Sequence, residues 1–181
     1  KHFMSPGSPQ VSLLFWCFFQ ASPIGIGLTT DHALLLANDP LCRMTGYPLE
    51  DLLGSDARKL HCSEAEFERV RGAFASGVDR GEASTLETAW IRRDGSSIDV
   101  LLGLAPLDPG DLSRGFTFTA VDITERRRLE QENIEQQQRL LSIFDGIDEP
   151  VYVSDPVSFR ILYINQKSRE TWGEPGDMKC F

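Results

Sequence analysis

Cysteine is scarce and unpaired in this sequence. The 181 residues include four cysteines, which form no C-x-x-C pair and have no zinc-like spacing to the three histidines. A chain of this length can bury a core without cross-links, which argues against a disulfide scaffold. We therefore expect no metal site. We expect free, buried thiols in a reducing cytoplasm at Cys17, Cys42, Cys62 and Cys180.

Positive charge is scarce as well. There are 18 Lys and Arg residues against 27 Asp and Glu, which gives a net charge of −9 at pH 7 and an isoelectric point near 4.8. A nucleic-acid-binding surface needs a basic field. The basic run Arg126–Arg128 is flanked by Glu125 and Glu130 and indicates a mixed-charge helix face. We expect no nucleic-acid partner.

Long hydrophobic runs and catalytic motifs are also missing. The apolar stretch Val11–Phe19 is far shorter than the ~20 residues that cross a bilayer. A signal peptide ending near Ala21 is the alternative, but the stretch leads directly into a strand pattern that needs a helix before it. The sequence contains no Ser/His/Asp or Cys/His set, no paired carboxylates and no glycine-rich phosphate loop. We predict a cytoplasmic, non-enzymatic segment without a membrane span.

Short helices alternate with β-rich runs in the first two thirds of the chain. Val11–Ala21 predicts a helix that is apolar nearly all round and must bury more than one face. Glu64–Ser76 predicts an amphipathic helix with Phe67, Val70 and Phe74 on one stripe. The β-rich runs are Ile24–Thr30, Ala33–Ala37, Thr85–Arg92, Ser97–Leu104 and Gly115–Val121, and Asp94-Gly95 favours a hairpin between the third and the fourth.

Helix formers dominate from Asp122 to about Asp145, a segment without proline or glycine. Asp122 and Glu125 have capping-box spacing, which predicts Asp122 as the N-cap of a long helix. The apolar positions are spaced unevenly. Two possibilities stay open: a short, weak coiled coil or a lone solvated helix.

The end of the sequence repeats its beginning. Ile161–Gly173 aligns with Leu34–Gly46, and Pro150–Asp155 mirrors the approach to Asp31. A repeat of this length indicates a second domain of the same kind. Because no counterpart of the amphipathic helix or of the later strands follows, we expect residues 147–181 to be the N-terminal part of a truncated domain.

This succession of motifs resembles the PAS family of sensory domains. Each motif alone is weak, whereas their common order and spacing are specific. The matching pieces are Ala21–Ile26, Ala37–Pro40, Met44–Tyr47, Leu49–Gly54, Arg93–Ser96 and Val121–Arg126.

The resemblance implies an α+β PAS fold, with a five-stranded antiparallel sheet in the order 2-1-5-4-3, helices on one face and a long helical linker behind it. It divides the chain into a leader at 1–10, a PAS domain with its flanking helix at 11–123, a linker at 124–146 and the truncated PAS domain at 147–181. It also implies a multidomain bacterial signalling parent, such as a two-component system. The C-terminal effector of that parent would be a histidine kinase, a cyclic-di-nucleotide enzyme or a transcription regulator.

Six apolar side chains are expected to converge between the amphipathic helix and the sheet. They form either a plain core or the wall of a ligand cavity, which would suit a small, partly apolar molecule or a flat cofactor. Trp90 also has an N–H that needs a partner when it is buried. The six residues are Phe67, Val70, Phe74, Trp90, Phe116 and Phe118.

The cofactor is unknown, but the resemblance narrows the choice. The flavin-photosensor branch of the family needs a cysteine where this sequence has Ala57. Cysteinyl-flavin chemistry is therefore excluded in this register, and Cys62 lies too far along the chain to replace it. The haem branch uses a histidine on the long helix. His61 precedes that helix, and we expect a loop residue with satisfied hydrogen bonds rather than a haem ligand. His2 and His32 carry no functional pattern.

Two functions follow from this sequence. In the first, a ligand in the cavity shifts the last strand, and Asp122, Ile123 and Thr124 pass the change to the linker helix and a C-terminal output. In the second, the module binds no ligand and acts as a homodimer, paired through the Val11–Phe19 helix and the linker helix.

Overall fold

The computed structural model describes residues 9–78, 84–108, 110–111 and 114–173. It divides into two compact units, residues 1–125 and 126–181. Of the predicted leader, residues 1–8 lie outside the described ranges, and so do Cys180 and the C-terminal residues from 174 onward.

The first unit is built on a single antiparallel sheet. Its strands pair in the order β2-β1-β5-β4-β3, which confirms the expected topology. The turn between β3 and β4 has Gly95 at φ +85°, a backbone conformation that glycine adopts without strain. The strands are β1 Gly25–Thr30, β2 Ala33–Ala37, β3 Ser84–Ile91, β4 Ser97–Pro106 and β5 Phe116–Asp122.

The helices of this unit are short, apart from the first and the last. α2 begins where the Asn38 side chain accepts a hydrogen bond from the Leu41 amide, and it ends at Gly46 with φ +73°. The helices are α1 Pro9–Ala21, α2 Asp39–Thr45, α3 Leu49–Leu52 and α4 Glu64–Val78, with a 3₁₀ helix at Ala57–Leu60.

The core lies between these helices and the sheet. Every second residue of β4 points into it, so that Ile98, Val100 and Leu102 are buried. Leu41 of α2 and Val70 of α4 are buried against the same cluster. The cluster extends along α4 and forms the frame of the site described below.

α1 does not bury the faces that the sequence led us to expect. Phe19 is buried, whereas Leu13, Phe15 and Phe18 are exposed, Phe18 by 74%. The contacts that α1 makes with the module lie at its C-terminal end, where the Phe19 carbonyl accepts from Asn38 Nδ2 and the Gln20 side chain accepts from the Asp39 amide. Most of the helix therefore leaves its apolar side chains exposed. The prediction that this helix buries more than one face is therefore wrong for the single chain.

The cysteine prediction needs a similar correction. Cys17, Cys42 and Cys62 are free, but Cys17 and Cys62 are exposed and Cys42 is only half-buried. Cys17 lies on α1, most of whose large apolar side chains are exposed as well. Across the described ranges, no helix combines the length and the apolar character that a membrane crossing requires.

The second unit contains most of α5, Thr124–Asp145, followed by β6 Tyr152–Ser154, β7 Ile161–Ile164 and α6 Gln166–Trp172. β6 and β7 form a two-stranded antiparallel sheet. No described side chain of α5 is buried. Val153 and Leu162 on the two strands are exposed as well.

Asn38 is a buried anchor in the first unit. Its Nδ2 donates to the carbonyl oxygens of Phe19 and Ile24 at 2.9 Å each. Its Oδ1 accepts from the amides of Ile26 and Leu41 at 2.9 and 3.1 Å. One side chain thus joins the end of α1, the start of β1 and the start of α2.

Asn165 makes the equivalent bonds in the second unit. Its Nδ2 donates to the carbonyl oxygens of Phe144 and Glu149, and its Oδ1 accepts from the amides of Val151 and Ser168. The end of α5 therefore stands to β6 and α6 as the end of α1 stands to β1 and α2. The internal repeat seen in the sequence is a structural repeat.

Candidate functional site

A cavity of about 300 Å³ lies between α4 and the sheet of the first unit. This volume is at the small end of the range for small-molecule sites. The structure brings all six predicted side chains together in its wall: Phe67, Val70, Phe74, Trp90, Phe116 and Phe118.

The sheet supplies the apolar floor of the cavity. Leu104 on β4 lies directly across from Phe118 on β5, and Trp90 contacts Phe118 edge to face with ring centroids 6.3 Å apart. Gly27 on β1 makes room for the Phe118 ring, because a Cβ at Gly27 would lie 2.2 Å from Phe118 Cζ. A glycine at this position is therefore a packing requirement of the floor.

The helical wall is fixed to the sheet by a carboxylate. Glu66 on α4 accepts hydrogen bonds from Arg69 Nε at 2.8 Å and from Thr88 Oγ1 on β3 at 2.7 Å. The guanidinium of Arg69 and then the hydroxyl of Thr88 lower the pKa of Glu66 to about 2. Arg69 also donates to the Glu87 carbonyl at 2.9 Å. α4 is thus held against β3 by an ionised group at neutral pH.

Two polar atoms of the wall are buried without a hydrogen-bond partner among the described residues. They are Nε1 of Trp90 and Nδ1 of His61. The expectation that His61 has satisfied hydrogen bonds is therefore wrong. Its ring contacts Phe67 and Trp90 edge to face, at centroid distances of 5.3 and 6.1 Å. Burial lowers the pKa of His61 below its ordinary value.

Ala57 occupies the position where the flavin-photosensor branch of the resembled family has its cysteine, and this position is in the wall of the cavity. Cys62 is exposed and is not part of the lining. Within the described ranges, no three His, Cys, Asp or Glu side chains are grouped closely enough to hold a metal ion.

The predicted relay residues lie at the junction of β5 and α5. α5 begins at Thr124, so Asp122 is the last residue of β5 and not the N-cap that the sequence predicted. The capping function is kept, since Asp122 Oδ1 accepts from the Thr124 amide at 2.9 Å. Asp122 Oδ2 accepts from Arg92 Nη2 at 2.9 Å. The Ile123 amide donates to the Asp99 carbonyl oxygen, and the Thr124 hydroxyl oxygen accepts from the Asp99 amide, at 2.9 Å each.

The surroundings of Asp122 favour its ionised form. Burial raises the pKa of this carboxyl, but the hydrogen bonds from Thr124 and the charge of Arg92 outweigh it, and the pKa lies below its ordinary value. Arg93 follows Arg92 in the β3–β4 hairpin. Its backbone N–H donates to the Thr45 carbonyl oxygen at 3.0 Å, and its guanidinium pairs with the Asp51 carboxylate at 3.2 Å. The β3–β4 hairpin thus contacts both the start of α5 and the α2–α3 region.

Sequence reasoning missed part of the wall. Leu102 and Leu104 line the cavity, and their shared parity with Ile98 and Val100 on β4 would have identified them. Leu60 and His32 also belong to the lining. No sequence pattern marks these two, because they reach the cavity from a 3₁₀ helix and from the β1–β2 turn.

The fold defines an α+β module with a five-stranded antiparallel sheet and a cavity beneath α4, and comparison with known proteins names the family. A PAS domain family model matches residues 22–125, and a second PAS domain model matches residues 138–179. The chain therefore belongs to the PAS domain family. It is a sensory signalling module, and domains of this fold are typically not enzymes.

Solved PAS structures share the fold at low identity. One is the PAS domain of a LuxR-family transcriptional regulator from Burkholderia thailandensis, solved in complex with ethanol. It is 23% identical in sequence, the match covers 60% of this chain and 96% of that chain, and the TM-score is 0.56. A light-oxygen-voltage protein from Rhodobacter sphaeroides is 24% identical in sequence. The match covers 64% of this chain and 69% of that chain, with a TM-score of 0.53. A domain of a sensor histidine kinase/response regulator from Geobacter sulfurreducens has 21% identity, 65% and 100% coverage, and a TM-score of 0.51.

Proposed function

We propose that the first PAS domain senses a small molecule bound in its cavity and relays occupancy to a C-terminal effector of a multidomain bacterial signalling protein. The observation that carries this proposal is the continuity of β5. Phe116 and Phe118 of this strand line the cavity, and Asp122 at its end bonds the first residue of α5. A ligand that displaces Phe118 would act on the strand that holds the start of the helix.

A second strand supports the same route. Trp90 on β3 lines the cavity, and Arg92, which follows that strand, donates to Asp122. Both strands that carry cavity aromatics thus lead to one carboxylate. Close-packed interiors have low compressibility and transmit strain, so a shift of either strand at the cavity would act on Asp122.

We further propose that the ligand is held without a covalent bond. Ala57 offers no thiol to a flavin, and Cys62 lies outside the lining. A cavity of about 300 Å³ favours a molecule smaller than haem or a flavin nucleotide.

The experiment is native mass spectrometry and visible absorption spectroscopy of the purified protein. We expect a small molecule to be released from the wild type and lost from Ala57→Leu, which enlarges a side chain of the wall. Ala105→Leu is the control, because Ala105 lies on β4 but not in the lining. Equal recovery from both variants, or no release and no ligand-induced stabilisation in any protein, would refute ligand sensing.

A ligand-free dimerisation and relay module is the second candidate, and one observation favours it. The apolar side chains of Leu13, Phe15 and Phe18 on α1 are exposed. An exposed apolar surface of this kind is typical of a helix that pairs with another chain. A dimer that forms equally with a filled cavity, as in Ala57→Leu, and retains full output would support this candidate instead.

A further inference from the structure

The described residues of the cavity wall include no buried charge, and none of them is an Asp or Glu. Arg71 is exposed, and its guanidinium pairs with Glu68 on the same helix. Burial lowers the pKa of His61 below its ordinary value of 6.5, so its imidazole is neutral at pH 7. The other histidine of the lining, His32, is exposed. An ion that enters this space loses its hydration without gaining a buried counter-charge.

The polar atoms of the wall give a ligand little to bond with. Nε1 of Trp90 and Nδ1 of His61 are buried with almost no accessible surface, so neither of them faces the cavity. The hydroxyl of Thr29 donates to the Phe116 carbonyl oxygen at 3.5 Å. A hydroxyl or carbonyl group of a ligand would leave its hydrogen bonds with water and regain few of them here. An apolar ligand has none to lose.

Aromatic rings supply much of the lining. Trp90 contacts Phe118 edge to face, and Phe67, Phe74 and Phe116 line the same cavity. Aromatic side chains pack favourably against a further ring in offset or edge-to-face arrangements. An apolar protein cavity of roughly 150 Å³ is enough for benzene, and the volume here is about 300 Å³. The cavity therefore has room for a single ring or two fused rings.

We propose that the ligand of the first PAS domain is an uncharged, apolar ring compound, held by packing and without a polar anchor. This inference rests on the proposed ligand-sensing function and names the ligand class. The aromatic side chains favour the ring, and a wall without buried counter-charges in its described part rejects ions. The strength of binding then follows the apolar surface that the ligand removes from water.

Calorimetric titration of the full chain with small probes of similar size tests the ligand class. The probes are toluene, phenol, benzoate and benzylamine, and naphthalene extends the series to two fused rings. We expect toluene to bind at least about tenfold more tightly than phenol, because phenol buries a hydroxyl that finds no good partner. Benzoate and benzylamine, which are ions at pH 7, should bind more weakly still. This comparison uses the wild type and needs no variant.

Phe74→Leu tests whether packing against the wall sets the size of the ligand. The substitution removes part of a ring from the lining, so the affinity for naphthalene should rise relative to that for toluene. Phe19→Leu is the matched control, because Phe19 is buried in the same unit but does not line the cavity. Its ratio of the two affinities should equal that of the wild type. An unchanged ratio in Phe74→Leu would show that the probes bind elsewhere.

The outcomes separate this inference from ligand sensing itself. Tighter binding of phenol, benzoate or benzylamine than of toluene would overturn the inference. If the purified protein releases a charged or strongly hydrogen-bonding molecule, the inference falls and ligand sensing stands. An apolar ring compound among the released molecules would support both. If no probe binds and nothing is released, both fall.

Discussion

Glu66 is the residue whose ionisation matters most to the wall of the cavity. Its folded-state pKa of about 2 lies below the ordinary 4.5, so its contribution to stability is present above pH 4.5 and is lost as the pH falls toward 2. We expect Glu66→Gln to be less stable than the wild type at pH 7 and to lose less stability on acidification. Chemical denaturation at pH 7 and pH 3 measures both effects.

Glu68→Gln is the matched control for that experiment. Glu68 lies on the same helix and pairs with Arg71 at the surface, and exposed ion pairs contribute little. Its pH profile should follow the wild type. A Glu66→Gln profile that also follows the wild type would show that the contact with Arg69 and Thr88 does not hold α4 to β3.

Asp122 lies at the junction of β5 and α5. One of its carboxylate oxygens accepts from the Thr124 amide at the start of α5, and the other accepts from Arg92. Removing the carboxylate in Asp122→Ala should cost ~1 kcal/mol of unfolding free energy, as for the loss of a helix cap. Because it also frees Arg92, we expect a larger change in the output of the full-length parent than in stability. Thermal unfolding and an output assay in the parent measure the two effects.

Asp108→Ala controls for the loss of a surface ion pair, since Asp108 pairs with Arg114 in a loop away from α5. It should leave the output unchanged. A collapse of the melting temperature in Asp122→Ala, or an unaltered output, would contradict the relay role of the junction.

Among the described elements, we expect β6 and β7 to be the least stable. A two-stranded sheet is marginal in water, and Val153 and Leu162 are exposed on it. We expect the amides of Val151–Ile164 to exchange with solvent far faster than those of β4, in hydrogen-exchange measurements on the dilute, monomeric chain. Slow exchange there would show that the two-stranded sheet is stable by itself.

The elements also show which parts of the structure local sequence can predict. Asp94-Gly95 located the β3–β4 hairpin, and the stripe of Phe67, Val70 and Phe74 located α4, because turn chemistry and helical periodicity are local. The strand order came from the family resemblance and was confirmed. The end of β5 was predicted one residue early, at Val121 instead of Asp122, within the usual uncertainty of element boundaries.

The surroundings of the two polar side chains of the cavity wall, His61 and Trp90, could not be predicted from the sequence. The state of His61 depends on rings from two distant elements, α4 and β3, which enclose its nitrogen. Trp90 was expected to need a partner when buried, but no local pattern says whether the protein supplies one. Side-chain environments of this kind are set by tertiary packing, which a single sequence does not encode in any short window.

On the scale of the whole molecule, the exposed apolar surface of α1 predicts association. Leu13 and Phe18 are more than 60% exposed, and burying such side chains between two chains is favourable. We expect a dimer at about 10⁻⁵ M in light scattering. The double variant Leu13→Ser/Phe18→Ser should shift it toward monomer. Leu107→Ser, at an exposed leucine outside α1, should not, and a clean wild-type monomer would refute the prediction.

The close approach of Gly27 to Phe118 makes these two positions a covarying pair. Among relatives, a side chain at the position of Gly27 should be accompanied by a smaller residue at that of Phe118, since the ring and a Cβ cannot share the space. A double-mutant cycle would show the coupling: Gly27→Ala should destabilise the domain, and Phe118→Leu in the same chain should restore part of the loss. Additive effects would mean that β1 yields instead of the ring. With coupling, the floor of the cavity is inherited as a property of two positions on neighbouring strands, and a side chain can be added at Gly27 only together with a smaller residue at Phe118.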